Sequence, residues 1–139
     1  MTISVVLAML LFAMTSLLHF GMLVLAKNTC QPQWRALTLM AWVFFVAFLA
    51  HLAEILLYAG GFWLGEQFFQ IGSFGGMRPE SFLDYFYYSS VTFTSLGLGD
   101  IFPGGHLRFL TGVEALNGLM LIAWTGSYTF YLGLRRTLR

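Results

Sequence analysis

One short segment of the sequence, residues 87–100, has the residue types needed to coordinate a bare cation. It reads Tyr-Tyr-Ser-Ser-Val-Thr-Phe-Thr-Ser-Leu-Gly-Leu-Gly-Asp, so a hydroxyl-rich run ends in a Gly-x-Gly-Asp turn. Glycine reaches positive φ without a Cβ clash, and alternating glycines therefore let carbonyl oxygens turn towards a common axis. Carbonyl dipoles in such an arrangement can replace the water shell of a cation.

The same segment is too short to cross a bilayer. A helix over residues 82–95 would rise only about 20 Å, whereas the hydrocarbon core is about 30 Å thick. Non-helical backbone is tolerated at membrane depth only where protein buries it or where it lines a water-filled cavity. We therefore expect a re-entrant segment, which enters the membrane and returns to the same side.

The motif resembles the T-V-G-Y-G-D signature of potassium-channel selectivity filters, with Ser95-Leu96-Gly97-Leu98-Gly99-Asp100 at the corresponding positions. Residues 87–94 resemble the pore helix of that family, including the aromatic pair at its start. The resemblance continues through Pro103, Arg108 and Gly118, and the look-alikes are small bacterial channel proteins. Ser95 replaces the usual Thr and keeps a hydroxyl. Leu98 replaces the usual Tyr, so the degree of potassium selectivity stays open.

The resemblance implies a role for each residue of the motif. Oxygen atoms of Ser95, Leu96, Gly97 and Leu98 would bind potassium, and Gly99 would permit the turn that follows. Filter support would come from Thr94, Asp100, Tyr87 and Tyr88. One Gly-x-Gly strand cannot enclose an ion, so copies must surround an axis, and the resemblance implies four. A weakly selective cation channel and a non-conducting accessory or metal-binding membrane protein remain as alternatives.

Composition places the chain among integral membrane proteins. Hydrophobic residues make up 58% of it and charged residues 9%, with a mean hydropathy of +0.77. The net charge of +1 is too small to argue for a nucleic-acid partner. A single cysteine, Cys30, excludes an intrachain disulfide. We find no nucleophile–base pair and no cofactor motif, so we predict neither enzyme activity nor a cofactor beyond the permeant potassium ion.

The elements expected around the motif are those of an all-α membrane protein. Apolar runs predict three spanning helices, over residues 3–26, 36–59 and 107–134. Residues 60–79 are expected to form a glycine- and aromatic-rich loop. A capping box formed by Ser81 and Asp84 should begin the short helix near Phe82, and a return strand should cover residues 101–106. Residues 1–35 would thus add one helix and a loop to a pore domain at 36–139.

The charges predict an orientation. Lys27 and Arg35 fall on the same side as the carboxyl-terminal arginines, Arg135, Arg136 and Arg139. The other side carries four acidic residues, Glu66, Glu80, Asp84 and Asp100, together with Arg78 and Arg108. By the positive-inside rule the carboxyl terminus is cytoplasmic and the filter faces outward. A bacterial inner membrane is the expected location.

The last helix carries a four-residue repeat formed by Gly118, Ile122, Gly126 and Phe130. One interpretation is a small-residue face along which helices approach closely. The other is a cavity wall with a hydrophobic gate at Phe130. Gly118 occupies the position of the inner-helix glycine in the resembling family, which favours the second interpretation.

Three ionisable residues fall at membrane depth, His51, Glu54 and Glu114. His51 and Glu54 are three residues apart and lie on one helix face. Such groups are costly in a bilayer and are functional candidates. We rank a structural hydrogen-bond cluster first, modulation of the filter or proton sensing second, and a metal site third. We interpret His19 as a satisfied polar group packed against a neighbouring helix, and favour this over a role as a ligand.

Overall fold

The computed structural model describes residues 1–31 and 33–137, and it is mostly helical. The four α-helices are α1 (Thr2–Thr29), α2 (Ala36–Trp63), α3 (Phe82–Phe93) and α4 (Leu107–Thr137). Two short strands, β1 (Phe74–Gly76) and β2 (Ile101–Pro103), flank α3 in the sequence. Three helices of the described part, α1, α2 and α4, are long and apolar enough to cross a membrane. The all-α membrane class is thereby confirmed, while Arg139 lies outside the described residues.

The second helix is longer than the sequence predicted. We expected a loop from residue 60, but α2 runs to Trp63 and continues as one wider π-type turn over Leu64–Phe68. The reason is the packing of Gly61, which is buried and on which a Cβ would overlap the Leu11 side chain of α1. This glycine therefore permits close helix approach instead of ending the helix.

The short helix α3 begins where the capping box predicted. The carboxylate of Asp84 accepts hydrogen bonds from the backbone N–H groups of Ser81, at 2.8 Å, and Glu80, at 2.9 Å. These bonds, with that of Ser81 first, hold the pKa of the Asp84 carboxyl below its usual value. The helix therefore has a defined start at its polar end.

A two-stranded antiparallel pair closes the region around α3. Strand β1 pairs with β2 in the register Phe74 with Pro103 and Gly76 with Ile101. The predicted return strand is confirmed for residues 101–103, whereas β1 was missed inside the glycine-rich stretch. Gly76 has φ +78°, and a Cβ there would overlap the carbonyl oxygen of Asp100. The close approach of the two strands thus requires glycine.

The core lies between α2, α3 and the strands and is largely aromatic. The Tyr88 ring of α3 packs edge-on against Phe62 of α2 and Phe74 of β1, with ring centroids 4.9 and 4.7 Å apart. Offset and edge-to-face contacts of this kind add to the free energy gained by burying the rings. Helix α1 packs against α2 and α4 and completes the bundle. The core therefore fixes α3 between two spanning helices.

Candidate ion-conducting site

The segment that follows α3 is uncovered on the surface of the single chain. All residues from Thr94 to Gly99 are exposed, although α3 ends in the buried run Val91–Phe93. Leu96 and Leu98 leave 63% and 58% of their surface accessible. Two apolar side chains are therefore exposed beside a buried core.

The backbone φ angles of this segment alternate in sign. Ser95, Gly97 and Gly99 have positive φ values of +58°, +54° and +80°, whereas Leu96 and Leu98 do not. In a regular strand successive carbonyls point in opposite directions, so a change of φ sign at every second residue turns them towards one side. The sequence predicted positive φ at the glycines. Positive φ at Ser95 was missed, because a serine carries no signal for it.

The backbone hydrogen bonds described for this segment are made by its amide groups. The N–H of Ser95 donates to the Thr92 carbonyl at 2.9 Å, and the N–H of Gly97 donates to Val91 at 3.1 Å. Within the described residues, no hydrogen bond reaches the carbonyl oxygens of residues 95–98. The amides are thus tied to the end of α3, while four successive carbonyl oxygens are available to a ligand.

Asp100 anchors the far end of the segment. Its Oδ2 accepts a hydrogen bond from the Tyr87 phenol at 2.7 Å, and its Oδ1 accepts one from the Ile101 N–H at 3.0 Å. The Tyr87 bond lowers the pKa of the Asp100 carboxyl, and the same bond raises the pKa of the Tyr87 phenol. The Asp100 carbonyl also accepts from Met77 at 2.9 Å.

The two other residues predicted to support the filter bond elsewhere. The Tyr88 phenol lies 2.7 Å from the Thr111 hydroxyl of α4. The Thr94 hydroxyl donates to the Ser90 carbonyl at 2.8 Å, and so satisfies the last turn of α3. These bonds position α3 and do not touch the exposed carbonyls.

The four-residue repeat of α4 divides into two parts. Gly118 is buried, and a Cβ there would overlap the carbonyl oxygen of Phe93 at the end of α3. Ile122, Gly126 and Phe130 are exposed, and Phe130 leaves 71% of its surface accessible. The structure therefore places Gly118 at a close helix contact, while the rest of the repeat lies on an uncovered face.

The buried polar cluster has a different membership from the one predicted. Nδ1 of His19 is 2.8 Å from Oε1 of Glu54, and Nδ1 of His51 is 2.8 Å from Oε2. Glu114 is bonded to Ser89 instead, so its predicted grouping with His51 and Glu54 is corrected. His19 is buried and is bonded to Glu54 of α2, as expected of a polar group packed against a neighbouring helix. Because α2 runs to Trp63, Glu54 also lies deeper than a helix ending at residue 59 would place it.

Thr125 of α4 closes the cluster into a ring. Its hydroxyl oxygen is 3.2 Å from Nε2 of His19 and 3.2 Å from Nε2 of His51. Four bonds need four protons, of which the hydroxyl supplies one and two neutral imidazoles supply two. All four bonds therefore exist together only when one further proton lies on the ring formed by the two imidazoles, Glu54 and Thr125, and the ring then carries no net charge.

Glu114 and Ser89 join α4 to α3. The Ser89 hydroxyl lies 2.9 Å from the Ile55 carbonyl of α2 and also bonds Oε1 of Glu114. A hydroxyl has one proton and a carbonyl can only accept. Both bonds therefore coexist when Glu114 is a neutral acid that donates to Ser89. Sequence reasoning missed Ser89 and the partnership of His19, although Thr15 and His19 stand four apart on the buried stripe of α1.

The three candidate spanning helices indicate an integral membrane protein. The family model described as an ion channel matches residues 38–132, which is more than half of the sequence, and the chain belongs to this family. No curated protein and no solved structure gives a significant match. The family match begins within α2, so α1 lies outside it.

Proposed function

We propose that the chain conducts potassium ions passively and selectively through a pore built by four copies. The observation that carries the proposal is the carbonyl array of residues 95–98, whose φ values alternate in sign and whose oxygens accept no hydrogen bond within the described chain. Potassium channels replace the hydration shell of the ion with rings of such oxygens. Ser95, Leu96, Gly97 and Leu98 would each supply one oxygen ring.

The uncovered surface supports assembly around an axis. A single chain leaves its carbonyls open to one side, so it coordinates an ion only if further chains close the site. Leu96 and Leu98 of the segment after α3 are exposed, as are Ile122 and Phe130 of α4. In the assembly α3 would be re-entrant, Ile122 and Gly126 would line the cavity, and Phe130 would form a gate.

The domain organisation follows from this arrangement. Residues 36–139 would form the pore domain and residues 1–35 an added helix and loop. The family match to residues 38–132 supports that division. The carboxyl terminus would be cytoplasmic, because the basic residues at the two inner ends obey the positive-inside rule. A bacterial inner membrane would be the location that the resemblance to small bacterial channels implies.

A weakly selective cation channel is the second candidate, and Leu98 favours it. The side chain is 58% exposed and carries no phenol that could bind the protein behind the filter. Reversal potentials in mixed potassium and sodium solutions separate the two candidates. A reversal near the potassium equilibrium potential supports the selective pore, and a reversal near zero under bi-ionic conditions supports the weakly selective one.

Replacement of Gly97 by alanine tests the carbonyl array itself. Nothing lies within 4 Å of a Cβ at Gly97 in the single chain, but its φ of +54° disfavours alanine. We expect Gly97→Ala to abolish potassium flux into liposomes. Gly21→Ala is the matched control, because Gly21 also has open space and lies on α1 without a positive φ. Persisting flux in the Gly97 variant would contradict the filter assignment, and absent flux in the wild-type protein would favour the non-conducting alternative.

A further inference from the structure

A buried set of two imidazoles and one carboxylate joins α1 to α2 inside the spanning bundle. We propose that His19, His51 and Glu54 bind one resident divalent transition-metal ion of the zinc type. Nothing in the proposed conduction of potassium uses these residues. His19 also lies outside the residues that match the ion channel family, so the site is not a property of the matched pore region.

The donor atoms are already gathered at ligand distances. One donor atom from each residue lies within 4.8 Å of the other two. Each Nδ1 atom is 2.8 Å from its own oxygen of Glu54. In a tetrahedral zinc site with bonds of about 2.0–2.1 Å, neighbouring ligands are about 3.3 Å apart. A small widening of the set therefore admits an ion between the two nitrogens and the carboxylate.

Thr125 lies next to the ring nitrogens of His19 and His51 that would not bind the metal. Ligating histidines usually donate the other ring N–H to a fixed acceptor, which sets the tautomer. Both Nε2 atoms lie 3.2 Å from the Thr125 hydroxyl oxygen. With an ion bound, that oxygen would accept from both rings through its two lone pairs. The tautomer so selected would leave both Nδ1 lone pairs facing the ion, as ligation requires.

The chemistry of the donors selects the class of metal. Imidazole nitrogen with one carboxylate suits zinc, copper, nickel or iron, whereas magnesium and calcium prefer oxygen ligands alone. His19 and Glu54 are fully buried, and His51 keeps 20% of its side chain accessible. Buried ionisable groups in a membrane are costly unless they are paired or bind a ligand. His51 thus provides the exposed edge through which an ion would enter.

A bound ion would fasten the added helix to the pore. It would link α1 to α2 directly and α4 through Thr125. The His51 ring also contacts Phe93, with centroids 5.7 Å apart, and Phe93 ends α3 just before the exposed carbonyls. The ion would therefore hold four helices together next to the proposed filter.

The test uses the full chain purified in detergent, stripped with a chelator and titrated with Zn²⁺ by calorimetry. We expect one ion per chain and, with Co²⁺ as the probe, the visible absorption of a tetrahedral site. Glu54→Gln should abolish stoichiometric binding. Glu114→Gln is the matched control, because Glu114 is equally buried but belongs to another cluster. Thr125→Val should weaken binding about 10–100-fold.

The wild-type protein gives an independent measurement in case a variant does not fold. Ligands must be deprotonated to bind a metal, so metal binding should release protons. Calorimetry in buffers of different ionisation enthalpy measures the number released. Absence of stoichiometric binding by the wild-type protein, or unchanged binding by a folded Glu54→Gln variant, would overturn the proposal and leave a hydrogen-bonded cluster only.

Discussion

The phenol of Tyr87 donates a 2.7 Å hydrogen bond to Oδ2 of Asp100. Tyr87 lies in the middle of α3, and Asp100 follows the exposed carbonyl segment directly. The bond therefore links the outer end of the segment to the helix that precedes it. The other end is fixed by the bonds of Ser95 and Gly97 to the last turns of α3.

Replacement of Tyr87 by phenylalanine should loosen the outer end of the carbonyl segment. The ring would remain and only the hydrogen bond to Asp100 would be lost. We expect lower potassium flux and a smaller preference for potassium over sodium, because the oxygen positions would be less restricted. Tyr85→Phe is the matched control, since the Tyr85 phenol bonds Glu66 at 2.6 Å, away from the carbonyls. Equal effects of the two substitutions would count against a special role for the Asp100 bond.

The titration of Asp100 should respond to the same substitution. The sequence contains two aspartates, Asp84 and Asp100, so ¹³C-labelled aspartate gives two carboxyl resonances. The Tyr87 hydrogen bond lowers the pKa of Asp100 below 3.8. A pKa lowered by folding contributes stability above the unfolded value, and this contribution is lost as the pH falls through the folded value. Tyr87→Phe should raise the Asp100 midpoint and leave that of Asp84 in place, and an unmoved Asp100 midpoint would show that Tyr87 is not the cause.

Replacement of Gly118 by alanine should force α3 and α4 apart. The added Cβ would overlap the carbonyl oxygen of Phe93, and a backbone atom cannot rotate away. Overpacking of this kind costs about 1–3 kcal/mol. We expect a lower free energy of unfolding in detergent together with reduced flux. Gly112→Ala serves as the control on the same helix, because nothing lies within 4 Å of its Cβ. A Gly118→Ala variant with the wild-type free energy of unfolding would show that α3 and α4 can move apart at this contact with little loss of stability.

We expect the fold to tolerate Glu114→Gln, which keeps a neutral hydrogen-bond donor, but not Glu114→Ala, which removes most of the side chain. Ser89 Oγ bonds both Oε1 of Glu114 and the Ile55 carbonyl with a single proton, and a glutamine at position 114 would offer an N–H donor to Ser89 at nearly the same place. We expect Glu114→Gln to unfold at nearly the wild-type denaturant concentration. Glu114→Ala should lower the free energy of unfolding by about 2–5 kcal/mol, because it leaves a cavity and removes a partner of Ser89. A large loss of stability in the glutamine variant would indicate that Glu114 is ionised.

Local signals in the sequence were sufficient for much of the fold. The presence of each spanning helix follows from the length of its apolar run. The start of α3 follows from the capping box of Ser81 and Asp84, two residues only three apart in the sequence. The end of α2 was predicted wrongly because glycines that end a helix in water can serve packing in a membrane. Strand β1 was missed because its three residues form a strand only through pairing with β2.

The sequence alone determined the spanning helices, the short helix between them and the glycine positions where the carbonyls turn. These depend on chain length, hydropathy and the conformational range of glycine, which are properties of neighbouring residues. Only the tertiary structure decided that Glu54 meets His19, that Glu114 meets Ser89 and that Gly118 meets Phe93. The physical reason is that polar residues such as His19, Glu54 and Glu114 mark the buried face of a spanning helix, but the spacing within one helix does not show which neighbouring helix that face contacts.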